Sequence, residues 1–182
     1  MRIIAGEWRG RRIKAPKGRA VRPTSDRARE AWMSIVHPVL PGARVLDLFA
    51  GTGALGLEAL SRGASFVDFV EQSLPTLNTL GENVAALDAG ARCAIHRADA
   101  VAWAARLARA GTTYDVAFAD PPYHGDLAVA VARLWLDAPF AAIFGVEHEA
   151  TTALPEGGDM RRYGDTAITI YRKDANSTKQ EG

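Results

Sequence analysis

Apolar residues recur along this chain in two alternating rhythms. Short apolar runs bounded by Gly, Pro, Asp or Ser lie at Arg44–Phe49, Phe66–Val70, Cys93–His96, Tyr114–Ala119 and Ala141–Glu147, and read as strands. Between them lie segments read as helices. Ala54–Arg62 is stopped by Gly63, Ser73–Leu87 carries Leu77, Leu80, Val84 and Leu87 on one face, Ala100–Ala110 ends at Gly111, and Asp126–Leu136 follows. Strand and helix in repeated alternation predict an α/β fold, a mostly parallel open sheet with helices on both faces. Ligands of such sheets bind beyond the C-terminal strand ends. Arg161–Tyr163 and Ala167–Arg172 predict a closing antiparallel hairpin across Gly164-Asp165.

The first 40 residues stand outside this alternation. Arg2–Glu7 and Arg11–Ala15 predict a β-hairpin around Trp8-Arg9-Gly10, and Pro16, Gly18 and Pro23 a loop. A helix is expected from Thr24 to about Val36, capped by Thr24 or Ser25, with Asp26 in its first turn and Ala28, Trp32 and Ile35 on one apolar face. Pro38 and Pro41-Gly42 end it. The expected organisation is a basic N-terminal hairpin and helix extension over 1–40, an α/β domain over 41–173, and a polar, disordered tail over 174–182.

Composition narrows the class. At 182 residues with 48% hydrophobic and 24% charged side chains, the chain suits one globular domain. No apolar run approaches the roughly 20 residues of a membrane span, and the N-terminus lacks the pattern of a signal peptide, so a cytoplasmic protein is expected. Cys93 is the only cysteine, which excludes a disulfide frame and a thiolate metal cluster. His37, His96, His124 and His148 share no ligand spacing, so no metal is expected. Solvent exposure suits His124 better than a place in a pocket.

The net charge of +1 hides an asymmetry. Residues 1–30 hold ten basic and three acidic side chains, a net +7, against −6 for the remainder. A basic arm interleaved with Trp8 and Trp32 on a mildly acidic body points to a nucleic-acid partner. Arg2, Arg9, Arg11, Arg12, Lys14, Arg22 and Arg27 are the expected contacts. A solvated charge run without a partner is the alternative.

Two constellations carry chemistry. In Val45-Leu46-Asp47-Leu48-Phe49-Ala50-Gly51-Thr52-Gly53-Ala54-Leu55-Gly56, three glycines form G-x-G-x-x-G between a strand and a helix, where backbone must turn tightly and approach a ligand closely. Glu71 lies twenty residues beyond Gly51, at the end of the second strand, where a carboxylate can accept from ribose hydroxyls. This much fits a nicotinamide dinucleotide as well as a nucleoside cofactor. The second constellation, Asp120-Pro121-Pro122-Tyr123, breaks the tie. Two prolines after an acid form a rigid bend that fixes nearby carbonyls. An amino group with two N–H bonds needs two acceptors, and the bend offers a carboxylate and a carbonyl together. Tyr123 offers a face for a base. A strand terminator with a surface tyrosine is the bland reading of the bend; a tight packing turn is that of the glycine loop.

Val45–Leu60 resembles motif I of the class I, Rossmann-like methyltransferases, and Asp120–Tyr123 their amino-methylating Asp-Pro-Pro-Tyr motif. Further blocks resemble one family, the bacterial 16S ribosomal RNA guanine-N2 methyltransferases (RsmD). These are Arg22–Glu30, Leu48–Ala64, Tyr163-Gly164-Asp165-Thr166, the opening Arg2–Gly6, and Gly10–Ile13. The likeness runs from residue 1 to about 172; Ser34 departs from it, where asparagine is usual. The resemblance implies S-adenosylmethionine as cofactor, with Asp47, Gly51, Gly53, Glu71 and Asp99 around it. Glu71 would hold the ribose and Asp99 the adenine amine, while Asp99 also suits a helix N-cap for Ala100–Ala110. It implies that Asp120 and the Pro121 carbonyl hold the target amine while Tyr123 stacks on the base. The implied partner is 16S ribosomal RNA or the small ribosomal subunit, the target being the guanine numbered 966 in that RNA. Adenine-N6 or cytosine-N4 methylation of RNA or DNA, and a non-catalytic RNA-binding assembly factor, are the alternatives.

Overall fold

The computed structural model describes residues 1–15, 23–123 and 126–173, with backbone alone over 23–27. Among the described residues five α-helices and seven strands follow one another: α1 Pro23–Val36, β1 Arg44–Leu48, α2 Ala54–Ser61, β2 Phe66–Glu71, α3 Leu74–Leu87, β3 Cys93–Arg97, α4 Ala100–Ala110, β4 Tyr114–Ala119, α5 Leu127–Asp137, β5 Ala141–Glu149, β6 Asp159–Tyr163 and β7 Thr166–Arg172. Each expected strand and helix of the alternating region is present, with ends shifted by one or two residues. Of the loop expected over 16–23, residues 16–22, Arg22 among them, lie outside the described residues, as do the tail at 174–182 and His124, whereas Pro23 opens α1 instead of ending the loop.

The sheet order is β3-β2-β1-β4-β5-β7-β6. β1 to β5 run parallel, and β7 pairs antiparallel with both β5 and β6. The chain winds outward from β1 to β3, then returns to lay β4 on the other side of β1. That reversal is the topological switch point, where helices leave the sheet in opposite directions and open a crevice at the strand ends. Successive strand residues point to opposite faces, so the apolar runs divide between two cores. Val45, Val67, Phe69, Val116 and Phe118 meet α1, α2 and α3 on one face. Leu46, Leu48, Val70, Ala117 and Ala119 meet α4 and α5 on the other. Among the described residues, no helix is long and apolar enough to cross a membrane.

The N-terminal arm departs from the expected hairpin. Only one antiparallel bridge forms, Arg2 with Arg12. Ile3 N–H donates to Arg11 O at 3.0 Å and Ile13 N–H to Met1 O at 3.1 Å. Between these ends residues 4–8 turn away from any strand partner, and the N–H groups of Ile4, Ala5, Glu7 and Trp8 donate to Glu58 and Ser61 of α2 instead. The reason is hydrophobic: Ile3, Trp8 and Ile13 are 2–4% exposed and belong to the core beneath α2 and α3. Burying three large side chains against helices stabilises more than completing a two-stranded ladder in water.

Candidate active site at the switch point

Strand register assembles the candidate residues into one row. Leu48 pairs with Ala119, so the glycine loop after β1 and the proline bend after β4 leave the sheet side by side. Leu48 also pairs with Val70, which puts Glu71 on the other flank of the loop. Glu71 pairs with Arg97, two residues before Asp99. Ala119 pairs with Val146, so Glu147 on β5 lies beyond the bend. Along one sheet edge the order is Asp99, Glu71, Gly51, Asp120, Glu147. Sequence positions 48 to 147 converge because parallel strands all end on one side.

The three glycines do different work. Gly51 has φ +56°, and a Cβ there would meet only Phe49 O at 3.9 Å, so its outer face is open for a ligand. Gly53 has φ +84° as the residue preceding α2, and a Cβ would lie 2.4 Å from Leu80. A Cβ at Gly56 would lie 2.3 Å from the Phe69 ring, so this glycine seats α2 on the sheet. Phe49, with φ +59°, holds a left-handed conformation without being glycine, a strained entry to the loop.

Carboxylates brace this loop from both sides. Glu71 accepts from Gly51 N–H at 2.9 Å through Oε2 and from Ser73 N–H at 2.8 Å through Oε1. A carboxylate has about four acceptor sites, so two remain for hydroxyl donors. Asp47 is 1% exposed and accepts from Gly56 N–H at 2.9 Å, closing the loop from beneath rather than facing the crevice. Burial pushes its carboxyl up to about 7, against the lowering effect of the Gly56 bond. Asp99 is exposed and caps α4, accepting from Ala102 N–H at 2.8 Å through Oδ1. The cap engages Oδ1, as the capping reading of this residue requires.

The bend itself has a buried Pro121, an exposed Asp120 and a half-buried Tyr123. The Tyr123 hydroxyl donates to Glu147 Oε1 at 3.1 Å and meets Thr166 Oγ1 at 2.7 Å. Burial pushes the phenol up to about 12, so it stays protonated and serves as a ring with a hydrogen-bonding tip.

The basic arm divides into engaged and unengaged side chains. Arg2 donates to Gly10 O at 2.8 Å, Arg11 donates to Ala86 O, and Lys14 pairs with Glu82 at 2.8 Å. The side chains of Arg9 and Arg12 are exposed and bond to none of the described residues. Arg27 lies within α1, whose described part there is backbone.

Two buried polar residues, Glu58 and Asn83, and the half-buried Glu147 escaped the sequence reading. Glu58 is 0% exposed and accepts from Ile4 N–H at 2.8 Å, Ala5 N–H at 3.0 Å and Arg62 Nε at 2.9 Å. Asn83 is 1% exposed; it accepts from Lys14 N–H at 2.7 Å and donates to Lys14 O at 3.1 Å and Thr52 O at 2.9 Å. It therefore ties the arm to the glycine loop. Glu147 joins Tyr123 to Trp32, whose Nε1–H donates to Oε2 at 3.1 Å. The available signal was the same in each: a polar side chain on the apolar face of its own element, as in Leu57-Glu58-Ala59-Leu60 and Leu80…Asn83-Val84.

A family model described as conserved hypothetical protein 95 matches residues 1–172. The chain is 38% identical, over 184 aligned positions, to ribosomal RNA small subunit methyltransferase D of Escherichia coli K12, covering 96% of this chain and 91% of that protein. It is 32% identical over 181 positions to the Haemophilus influenzae protein of the same name, covering 94% and 92%. The solved structure of Escherichia coli yhhF is similar with a TM-score of 0.81 at 35% identity, covering 96% and 98% of the two chains. A match over nearly the whole chain, with the glycine loop and the bend at adjoining strand ends, leaves one assignment: the chain belongs to the conserved hypothetical protein 95 family, the RsmD family of S-adenosylmethionine-dependent methyltransferases.

Proposed function

We propose that this protein transfers a methyl group from S-adenosylmethionine to the exocyclic N2 of a guanine in 16S ribosomal RNA, as a cytoplasmic enzyme. The observation that carries the reading is the pairing of Leu48 with Ala119, which sets the glycine loop beside the Asp120-Pro121-Pro122-Tyr123 bend. The name of the Escherichia coli and Haemophilus influenzae relatives, ribosomal RNA small subunit methyltransferase D, supports small-subunit RNA as the substrate. The guanine and its N2 rest on the likeness of Arg22–Glu30 and Leu48–Ala64 to the guanine-N2 family.

The residues present fit the cofactor. Gly51 leaves its outer face open, Glu71 keeps two acceptor sites for ribose hydroxyls, and Asp99 keeps Oδ2 for an adenine amine. When bound, the cofactor supplies a sulfonium-activated methyl group. The chain's own work is positioning and electrostatics. The guanine amine is a poor nucleophile because its lone pair is delocalised into the ring. The Asp120 carboxylate and the Pro121 carbonyl accept its two N–H bonds, orient it, and stabilise the positive charge that develops on nitrogen. The target base is unstacked to reach the bend, where the Tyr123 face receives it.

Nucleoside mass spectrometry of ribosomal RNA after reaction with labelled cofactor tests the whole reading. N2-methylguanine in small-subunit RNA is expected. N6-methyladenine or N4-methylcytosine would refute the base while leaving the amine chemistry in place. Glu71→Ala should weaken S-adenosylmethionine binding by about 1–3 kcal/mol, the usual loss for a charged hydrogen-bond partner. Glu71→Gln, which keeps one acceptor, should lose less. Calorimetry showing an indifferent Glu71→Ala, or tight binding of a nicotinamide dinucleotide, would overturn the cofactor assignment.

RNA binding by the arm is best tested by charge, not truncation. Deleting the arm would strip Ile3, Trp8 and Ile13 from the core. Arg9→Ala with Arg12→Ala removes two cations whose side chains bond to none of the described residues and should lower the slope of log affinity against log salt by about 1–2. Cofactor affinity should not change. An unaltered slope would make the arm a solvated surface.

A further inference from the structure

We infer that Glu147 is a positioning residue for methyl transfer, fixing the plane of the Tyr123 ring by tying its hydroxyl to Trp32. The inference rests on the reading that Tyr123 receives the target base.

Its grounds are the directions of three hydrogen bonds. Trp32 Nε1 can only donate, so Glu147 Oε2 accepts there, at 3.1 Å. Tyr123 donates its single hydroxyl proton to Glu147 Oε1 at 3.1 Å, so Thr166 Oγ1, 2.7 Å away, donates into the Tyr123 oxygen. The chain of bonds runs Thr166 to Tyr123 to Glu147, and Glu147 closes it on Trp32. The far end is rigid. The Trp32 ring packs edge-on to Phe118 at 5.3 Å between centroids, and a Cβ on Gly145 would lie 2.1 Å from it. The absent side chain at Gly145 is what admits the indole. Tyr123 itself stands on a loop after β4, four residues beyond the last strand residue, Ala119. A loop ring without such a tie would rotate and slide, and errors of an ångström in a reacting geometry carry large rate penalties. Burial pushes the Glu147 carboxyl up, against the lowering effect of the bonds from Trp32 and Tyr123.

The same directions say which substitutions preserve the tie. In Glu147→Gln the amide oxygen still accepts from Trp32. The amide N–H donates to the Tyr123 oxygen, and Tyr123 turns its proton to Thr166. All three contacts survive, the one to Trp32 unchanged and the two at the Tyr123 hydroxyl reversed. Glu147→Ala leaves the ring tied to Thr166 alone. Tyr123→Phe removes the hydroxyl and keeps the aromatic face.

The experiment measures single-turnover methyl transfer to ribosomal RNA and cofactor affinity by calorimetry for the four proteins Glu147→Gln, Glu147→Ala, Tyr123→Phe and the Glu147→Ala/Tyr123→Phe double. Glu147→Ala and Tyr123→Phe are each expected to lose about 10–100-fold in rate with unchanged cofactor affinity. The double should lose no more than the worse single, because both remove one tie. Glu147→Gln should stay within about threefold of the parent. Fluorine NMR of a fluorotyrosine at position 123 supplies a readout independent of the substrate: a broadened or shifted resonance in Glu147→Ala, restored in Glu147→Gln. If Glu147→Ala folds poorly, Tyr123→Phe decides alone, since it deletes one atom from a half-buried ring. Parent-like rate in Tyr123→Phe, independent losses that multiply in the double, or an unmoved fluorine resonance in Glu147→Ala would each overturn the positioning role. A parent enzyme that methylates no RNA strikes the proposed function instead, and the fluorine readout then still reports on the tie.

Discussion

Asp120→Ala is expected to lose on the order of 100–1,000-fold in methyl-transfer rate while binding S-adenosylmethionine as the parent does. The size follows from what the residue does in the proposed reaction. In that reaction the exocyclic amine becomes positively charged as it takes the methyl group, and a carboxylate beside it stabilises that charge. The separation from cofactor binding follows from the fold. Asp120 follows β4, whereas Glu71 and the glycine loop follow β2 and β1, so deleting one carboxylate leaves the other site's contacts intact. Asp120→Asn should lose less, because its amide oxygen still accepts, without the full charge. Stopped-flow or quench measurement of a single turnover, with calorimetry alongside, separates the two effects. Full activity in Asp120→Ala would remove Asp120 from the chemistry and with it the amine-holding reading of the bend. Lost cofactor affinity would make it a cofactor residue.

The row of motifs was legible because each member directly follows an apolar run. Leu48, Val70 and Ala119 end their strands, so Gly51, Glu71 and Asp120 had to emerge at the same sheet edge once the strands were parallel. Local pattern suffices there, since strand period and loop chemistry both act over a few residues. The arm was not legible by the same means. Its alternation of Arg2, Ile3, Arg11, Arg12 and Ile13 looks like two strands, but its backbone partners are Glu58 and Ser61, some fifty residues away. A buried acceptor at that distance leaves no local trace beyond a polar residue in an apolar helix. The same holds for Glu147, which reads as the polar end of a strand until Trp32 and Tyr123 arrive from elements on either side. Asp47 shows the converse. Its place in the motif suggests a cofactor contact, and the fold spends it on Gly56 N–H beneath the loop.

Glu58→Ala is expected to detach the N-terminal arm and lower stability by about 3–5 kcal/mol, the range for removing one partner from a buried charged pair. Residues 4–8 wrap the last turn of α2 through a dense set of bonds. Glu58 accepts from Ile4 and Ala5 N–H and from Arg62. Ser61 Oγ accepts from Trp8 N–H at 2.9 Å and donates to Ala5 O at 2.6 Å, while Ser61 O accepts from Glu7 N–H at 2.7 Å. Removing the carboxylate leaves two backbone donors and the Arg62 guanidinium, 13% exposed, without their acceptor. Total stabilities are about 5–15 kcal/mol, so the loss is a large share. For a domain of this size it corresponds to a fall in Tm of about 10 °C. An independent route to the same state is Gly6→Ala. Gly6 has φ +85°, and a Cβ would lie 1.8 Å from Ser61 O, a backbone atom that cannot move aside. Both variants should expose Arg9, Arg11 and Arg12 to trypsin and weaken RNA binding. Cofactor binding should fall too, by less, because Asn83 passes the arm's position to Thr52 in the glycine loop. Thermal unfolding and limited proteolysis check the pair. An unchanged Tm with an uncut arm in both would mean that the core contacts of Ile3, Trp8 and Ile13 hold the arm without the polar clamp.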